Sequence, residues 1–154
     1  VKLLFLSVGR MKSEPLRAIF SEYIHRISRL CPVCCETVRE SRARVPQIMR
    51  EEEGERILRM VSERDTVVLL DEHGKMMPSL TYARWLSNRI ESSAGRLCLV
   101  VGGAYGVSSA VRDRADETLA LSSMTFPHEL CLVILAEQVY RAFSILEGSS
   151  YHHD

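Results

Sequence analysis

Residues 96–106 read RLCLVVGGAYG, an apolar run of strand length that ends directly in three glycines. A short apolar run bounded by turn residues reads as a buried strand. Glycines at its end let the main chain take positive φ and approach another group closely. Working outward from this stretch, apolar-run length and periodicity predict strands over 2–8, 33–39, 66–71, 96–101 and 117–122. Helices are expected over 14–30, 45–62, 79–93, 108–115 and 129–147. Strands alternating with helices imply an α/β fold with a mainly parallel sheet and helices on both faces. Such sheets bind ligands beyond the carboxyl ends of their strands.

Three loops follow predicted strand ends: DEHGKMMPS after residue 70, GGAYG after 101 and SMTFPHE after 122. If their strands are neighbours, they converge on one crevice whose walls are mostly backbone. The last helix, ELCLVILAEQVYRAFSIL, is apolar around most of its circumference, whereas a surface helix shows a single stripe. It is therefore expected to be buried on two sides, by its own sheet and by a second subunit.

At 154 residues the chain is expected to form one domain, 1–154. Its 46% hydrophobic and 26% charged residues are ordinary globular values. No apolar run reaches bilayer-spanning length, and the opening VKLLFLSVGR reads as a first strand, so a cytoplasmic protein without a membrane partner is expected. Five cysteines, an odd number, argue against a disulfide framework. Twenty basic residues balance twenty acidic ones. A global nucleic-acid footprint is thereby excluded, but not a small basic patch. The mixed charges from Arg39 to Asp65 read as a solvated helix face.

Several chemistries are set aside by spacing. GGAYGVSSA lacks the lysine of a phosphate-binding P-loop, and GGxxG is not the GxGxxG of a dinucleotide site. CPVCC, residues 31–35, lies between a helix end and a strand rather than at an activating helix N-terminus, and no second ligand pair completes a zinc site. Inert cysteines and no metal are expected there. Taken alone, GGAYG is a tight strand-to-helix turn that binds nothing.

Read together and in order, LLDEHGK, LVVGGAYG, LSSMTFPHE, EQVYRAF and the terminal YHHD resemble the bacterial 23S rRNA pseudouridine N3-methyltransferases, a small branch of the SPOUT class. The likeness runs from the first strand to the last residues. It implies a homodimeric, S-adenosylmethionine-dependent enzyme with a C-terminal trefoil knot, methylating N3 of a pseudouridine in the large-subunit rRNA of assembled ribosomes. The cofactor would lie in the crevice of the three loops, held by Leu70, Gly102, Gly103, Gly106, Ser122, Ser123, Met124, Thr125, Phe126 and Pro127.

Loss of the imide proton and attack on a sulfonium neutralise charge, so a dry, orienting pocket supplies much of the rate and a strong base is not obligatory. Tyr151, His152 and His153 are the candidates for base contact or proton removal, and Arg141 for phosphate or target positioning. Outside that family, the tail reads as a frayed terminus, and Arg141 as an i,i+4 partner of Glu137. Lys75, after Gly74, is placed either near substrate or in a solvated loop, and His128 in support of the cofactor loop. Two positions depart from the family pattern. Leu132 stands where an arginine is common, which implies that an interaction with RNA is missing here or made by another residue, and His153 stands where Arg or Lys is usual. Competing readings are a SPOUT enzyme for another RNA such as tRNA, a non-catalytic cofactor-binding module and a thiol redox protein.

Overall fold

The computed structural model describes residues 1–153. Five strands, β1 (Leu3–Val8), β2 (Val33–Val38), β3 (Thr66–Lys75), β4 (Leu97–Val101) and β5 (Glu117–Leu119), form one sheet. Their order is β2-β1-β4-β3-β5, and every pairing is parallel. Between them run α1 (Glu14–Ser28), α2 (Pro46–Met60), α3 (Ser79–Ser92) and α4 (Ser109–Arg114); α5 (His128–Leu146) closes the chain.

The pleat sends alternate residues of the central strands to opposite faces. Leu3, Phe5, Leu97, Leu99 and Val101 pack with residues of α1, α3 and α5. Leu4, Leu6, Val8, Cys98 and Val100 pack against Ile57 of α2 and Val111 of α4. Two buried faces explain why β1 and β4 are apolar at nearly every position, with all their residues buried. The expected three-layer α/β arrangement is the one observed. Among the described residues no helix is long and apolar enough to cross a membrane.

Two expectations need correction. β3 does not end at 71 but runs to Lys75, and both Leu70 and Lys75 register with Leu119. The residues between form a bulge, which leaves the sheet and rejoins it. Their polar composition reads as a loop, but pairing to β5 keeps them in the strand. β5 is shorter than 117–122: after the Ala120 amide donates to the Lys75 carbonyl (2.9 Å) the ladder ends, since β5 is an edge strand with one neighbour.

Much of the apolar circumference of α5 is buried within the chain. Leu132, Val133, Leu135, Ala136, Val139 and Ala142 are buried. α5 lies against the sheet with α1 and α3 packed beside it. Both flanking helices are tied to it: Ser79 Oγ of α3 donates to Gln138 Oε1 (2.8 Å), and Tyr23 of α1 meets Tyr140 with ring centroids 6.1 Å apart. Leu130 and Leu146 of the same helix stay exposed in the single chain, 36% and 44%.

Candidate active site

The carboxyl ends of β3 and β4 and the segment after β5 enclose a cavity of about 330 Å3. That volume lies at the small end of the ~300–1,000 Å3 typical of small-molecule sites. Its walls are Leu70 and the bulge residues Asp71 to His73, the glycine loop from Gly102, and Leu121, Ser122, Met124, Thr125 and Phe126. Arg112 of α4 and His128 and Cys131 of α5 complete it.

The glycine loop has structural reasons for its composition. Gly106 sits at φ +82°, and its amide donates to the Gly103 carbonyl (3.1 Å), closing the turn. A Cβ on Gly102 would lie 2.5 Å from Val107 Cγ1. The turn thus presents main chain, not side chains, to the cavity.

Charge enters from the bulge. Asp71 accepts from the His73 amide (2.8 Å) and from Arg112 Nη2 (2.7 Å). Burial alone would push its carboxyl up; the His73 amide and the Arg112 guanidinium outweigh that and hold it below the usual carboxylate range. Thr125 Oγ1 donates to Glu72, fastening the third loop to the bulge, while Ser122 Oγ accepts from the Met124 amide (3.0 Å) and shapes the loop's start. His128 Nε2 is buried without a hydrogen-bond partner among the described residues. Burial pushes the Cys131 thiol up to about 11, so it is no thiolate nucleophile at neutral pH.

Of the expected cofactor residues, Leu70, Gly102, Gly103, Gly106, Ser122, Met124, Thr125 and Phe126 line this cavity; Ser123 and Pro127 do not. Pro127 instead caps α5, its carbonyl accepting from the Cys131 amide (2.9 Å). Lys75 is exposed at the end of β3, outside the cavity. Asp71, Glu72 and Arg112 carry the site's charge and were not singled out from sequence. Arg112 Nη2 reaches Asp71 from 41 residues away, a contact no local pattern announces.

The tail residues assemble elsewhere. Glu137 Oε1 accepts from Arg141 Nε (2.9 Å) and Nη2 (2.5 Å) and from Tyr151 Oη (3.2 Å). Arg141 also lies over the Tyr151 ring, 4.9 Å from its centroid, and Tyr151 packs edge-on against Tyr140 at 4.8 Å. Burial, the contact with Tyr23 and the Glu137 charge all hold the Tyr151 phenol above its ordinary range. Arg141 Nη1 is 3.0 Å from His152 Nδ1. A guanidinium can only donate, so this contact makes Nδ1 the acceptor and places the neutral ring's proton on Nε2. In that tautomer Nε2–H is a hydrogen-bond donor.

His153 is exposed and stands outside this cluster. Arg141 is thus both the i,i+4 partner of Glu137 and a contact of the tail. Leu132 is 2% exposed within the core, so this position packs the interior and offers no surface to RNA. None of the four expected catalytic residues lines the cavity. From Cys131, the last α5 residue on the cavity wall, to Arg141 is a climb of ~15 Å along the helix axis.

The cysteines are all free, with Cys31 buried and its thiol pushed up by burial. Among the described residues no group of three or more His, Cys, Asp or Glu is placed to hold a metal ion.

Comparison with known proteins gives concordant likenesses. A family model described as "Predicted SPOUT methyltransferase" matches residues 1–152. The chain is 39% identical over 153 residues to a protein of Geotalea daltonii named ribosomal RNA large subunit methyltransferase H, covering 99% of this chain and 100% of the relative. Proteins of the same name from Bacteroides fragilis and Geobacter metallireducens are 37% and 40% identical. These likenesses cover 100% and 99% of this chain, and the same shares of the relatives. A solved structure, of a probable methylase family protein from Haemophilus influenzae Rd KW20, matches with a TM-score of 0.57 at 9% identity, over 99% of this chain and 70% of its own. That last likeness concerns the fold alone.

Proposed function

The chain belongs to the SPOUT methyltransferase family, and from that premise we propose that it methylates N3 of a pseudouridine in the 23S rRNA of assembled ribosomes, with S-adenosylmethionine as donor. Its relatives' name supports the large ribosomal RNA as substrate. The observation that carries the reading is the cavity of about 330 Å3 walled by the glycine turn and the third loop, with His128 Nε2 buried and unpartnered among the described residues.

The residues present suit the cofactor. Backbone of Gly102, Gly103 and Gly106 and of the segment Ser122–Phe126 would read the nucleoside, with Leu70 and Phe126 around the base. With Asp71 paired to Arg112, the Glu72 carboxylate leaves net negative charge at a cavity that would take a cationic ligand. When bound, the cofactor supplies an electrophilic methyl group on a sulfonium. Ser123 and Pro127 would act by shaping the loop and capping α5.

The chain's own contribution is orientation and exclusion of water. His152 would contact the target base, and Arg141 would orient its imidazole. With the Tyr151 phenol held above its ordinary range, the N3 proton would pass to solvent water before the base reaches the dry cavity, and the resulting imide anion would then attack the sulfonium methyl. The ~15 Å between cavity and tail cluster along α5 favours a homodimer in which the tail of one copy serves the cavity of the other.

The test is transfer from labelled S-adenosylmethionine to ribosomes lacking the modification, followed by mass spectrometry of the digested rRNA. N3-methylpseudouridine is expected, with poor transfer to protein-free rRNA. No transfer to ribosomes, with cofactor binding intact, would overturn the reading. Pairing a cavity-dead Gly103→Trp chain with a tail-dead His152→Ala chain should restore activity in mixed dimers, and its absence would remove the shared-tail arrangement.

A further inference from the structure

Net neutrality hides an uneven surface. Between residues 39 and 50 four arginines face a single glutamate. They occupy the β2–α2 connection and the first turns of α2, a region joined to the glycine loop by Arg50 Nη1 donating to the Tyr105 carbonyl (3.4 Å). Of the nearby acids, Glu51 is exposed and accepts only from Gln47 Nε2 (3.3 Å) among the described residues, and the other three are held by Ser41 and Lys12. Glu53 is buried and accepts from the Ser41 amide (3.0 Å), Glu52 accepts from Ser41 Oγ (2.6 Å), and Glu40 faces Lys12 at 4.0 Å. Ser41 Oγ in turn accepts from the Ala43 amide (3.0 Å), so the connection is held rather than loose.

Arg42 and Arg44 on this pinned segment are exposed and have no ion-pair partner among the described residues. Beside them Val45 and Ile48 are exposed, and Tyr105 is 58% exposed at the tip of the glycine turn. Gly102, Gly103, Ala104 and Gly106 line the cavity while Tyr105 does not. One short turn therefore lines the cavity with its glycines and exposes Tyr105, whose carbonyl Arg50 meets from the arginine-rich segment.

We infer that this surface, Arg42, Arg44, Arg50 and Tyr105, docks the single-stranded RNA flanking the target nucleotide, arginines on phosphates and Tyr105 against a base. The assignment rests on the proposed function for its substrate class. Charge complementarity selects the occupant: unpaired guanidiniums fit a polyanion, and an exposed aromatic on the adjoining glycine turn is the stacking platform of single-strand binders. Anchoring next to the cavity would limit the search of the target base to rotation out of its strand.

The experiment has two readouts on the full chain: methylation kinetics on unmodified ribosomes, and anisotropy of a fluorescent uridine-rich single-stranded RNA across a salt series. Arg42→Ala with Arg44→Ala should raise the ribosome KM and the RNA Kd about tenfold. It should also flatten the salt slope by about 1.4 to 2, with kcat and cofactor affinity unchanged. Tyr105→Ala should weaken RNA binding at every salt concentration without altering the slope. As a charge control, Arg17→Ala with Arg59→Ala should leave both readouts in place.

An unchanged slope and unchanged RNA affinity in the Arg42/Arg44 variant would overturn the assignment. So would a shift in its sedimentation to a smaller species, which would make this face a contact between copies. Wild-type chain that fails to methylate ribosomes but binds RNA through these arginines would sink the proposed function and leave this surface standing.

Discussion

The Glu137 carboxylate and the Tyr151 hydroxyl lie 3.2 Å apart, although fourteen residues separate them, and this bond fastens the tail to α5. The same oxygen accepts twice from Arg141, whose guanidinium covers the Tyr151 ring. A single carboxylate thus orders an arginine, a tyrosine and, through the arginine, His152.

Glu137→Gln is expected to lower kcat/KM for methyl transfer by roughly 10- to 100-fold, because charge-assisted hydrogen bonds contribute about 1.5–3 kcal/mol. Cofactor affinity should stay within about twofold, since Glu137 does not line its own chain's cavity and the tail it orders is proposed to meet the target base rather than the cofactor. Tyr151→Phe keeps the edge-on packing on Tyr140 and the contact with Arg141 but loses the hydroxyl. Its loss should be smaller, roughly 3- to 10-fold. Steady-state kinetics and cofactor titration of both variants check the pair. A Glu137→Gln enzyme with full activity would mean that tail docking is incidental.

Tyr82 is buried in the α3–α5 layer, and its hydroxyl finds no hydrogen-bond partner among the described residues. Burial alone raises its pKa. Removing a buried hydroxyl that bonds nothing costs little and spares its desolvation. Tyr82→Phe should therefore change unfolding free energy in urea by less than about 1 kcal/mol, toward greater stability. A loss above about 2 kcal/mol would show that the hydroxyl is partnered in solution.

The α/β order and most of the cavity were legible because they depend on local signals. Runs such as Leu97–Val101 are apolar on both faces, and glycines mark the turn that needs them. What escaped was pairing at a distance. The bulge of β3 has the composition of a loop and becomes strand only because Lys75 and Ala120 bond across to β5. Asp71 and Arg112 form an ion pair through the fold, not through any spacing. The two-sided burial of α5 is legible in its sequence, but the neighbour that provides it is not: helix periodicity shows how much of a face is apolar, not whether α1, α3 or another chain covers it. Nor does periodicity carry any sign of a knot.

Gly106 separates backbone conformation from space. A Cβ there meets nothing within 4 Å, yet φ is +82°. Gly106→Ala should therefore cost about 1–2 kcal/mol of left-handed strain without a clash. If the turn forms the cofactor wall, part of that cost should appear as a cofactor Kd raised roughly 3- to 10-fold, measured by calorimetry, with the remainder as a lower Tm. An unchanged Kd with a lower Tm would confine the turn to a structural role.

Asp65 supplies the acid dependence. Burial would raise its carboxyl, but hydrogen bonds from Arg96 and from the Ser62 and Arg96 amides outweigh that and hold it below its ordinary value. The folded pKa lies under the unfolded one of about 3.9, so the stabilisation is complete above that value and is lost as pH falls through the folded pKa. Asp65→Asn should lower stability at neutral pH by about 2–4 kcal/mol, since Arg96 loses its ionic partner and two amides lose a charged acceptor. The gap between wild type and variant should stay constant from pH 7 to about pH 5 and close at lower pH. Urea titrations across that range would show it. A gap that persists undiminished in acid would place the cost in packing rather than in the carboxylate's charge.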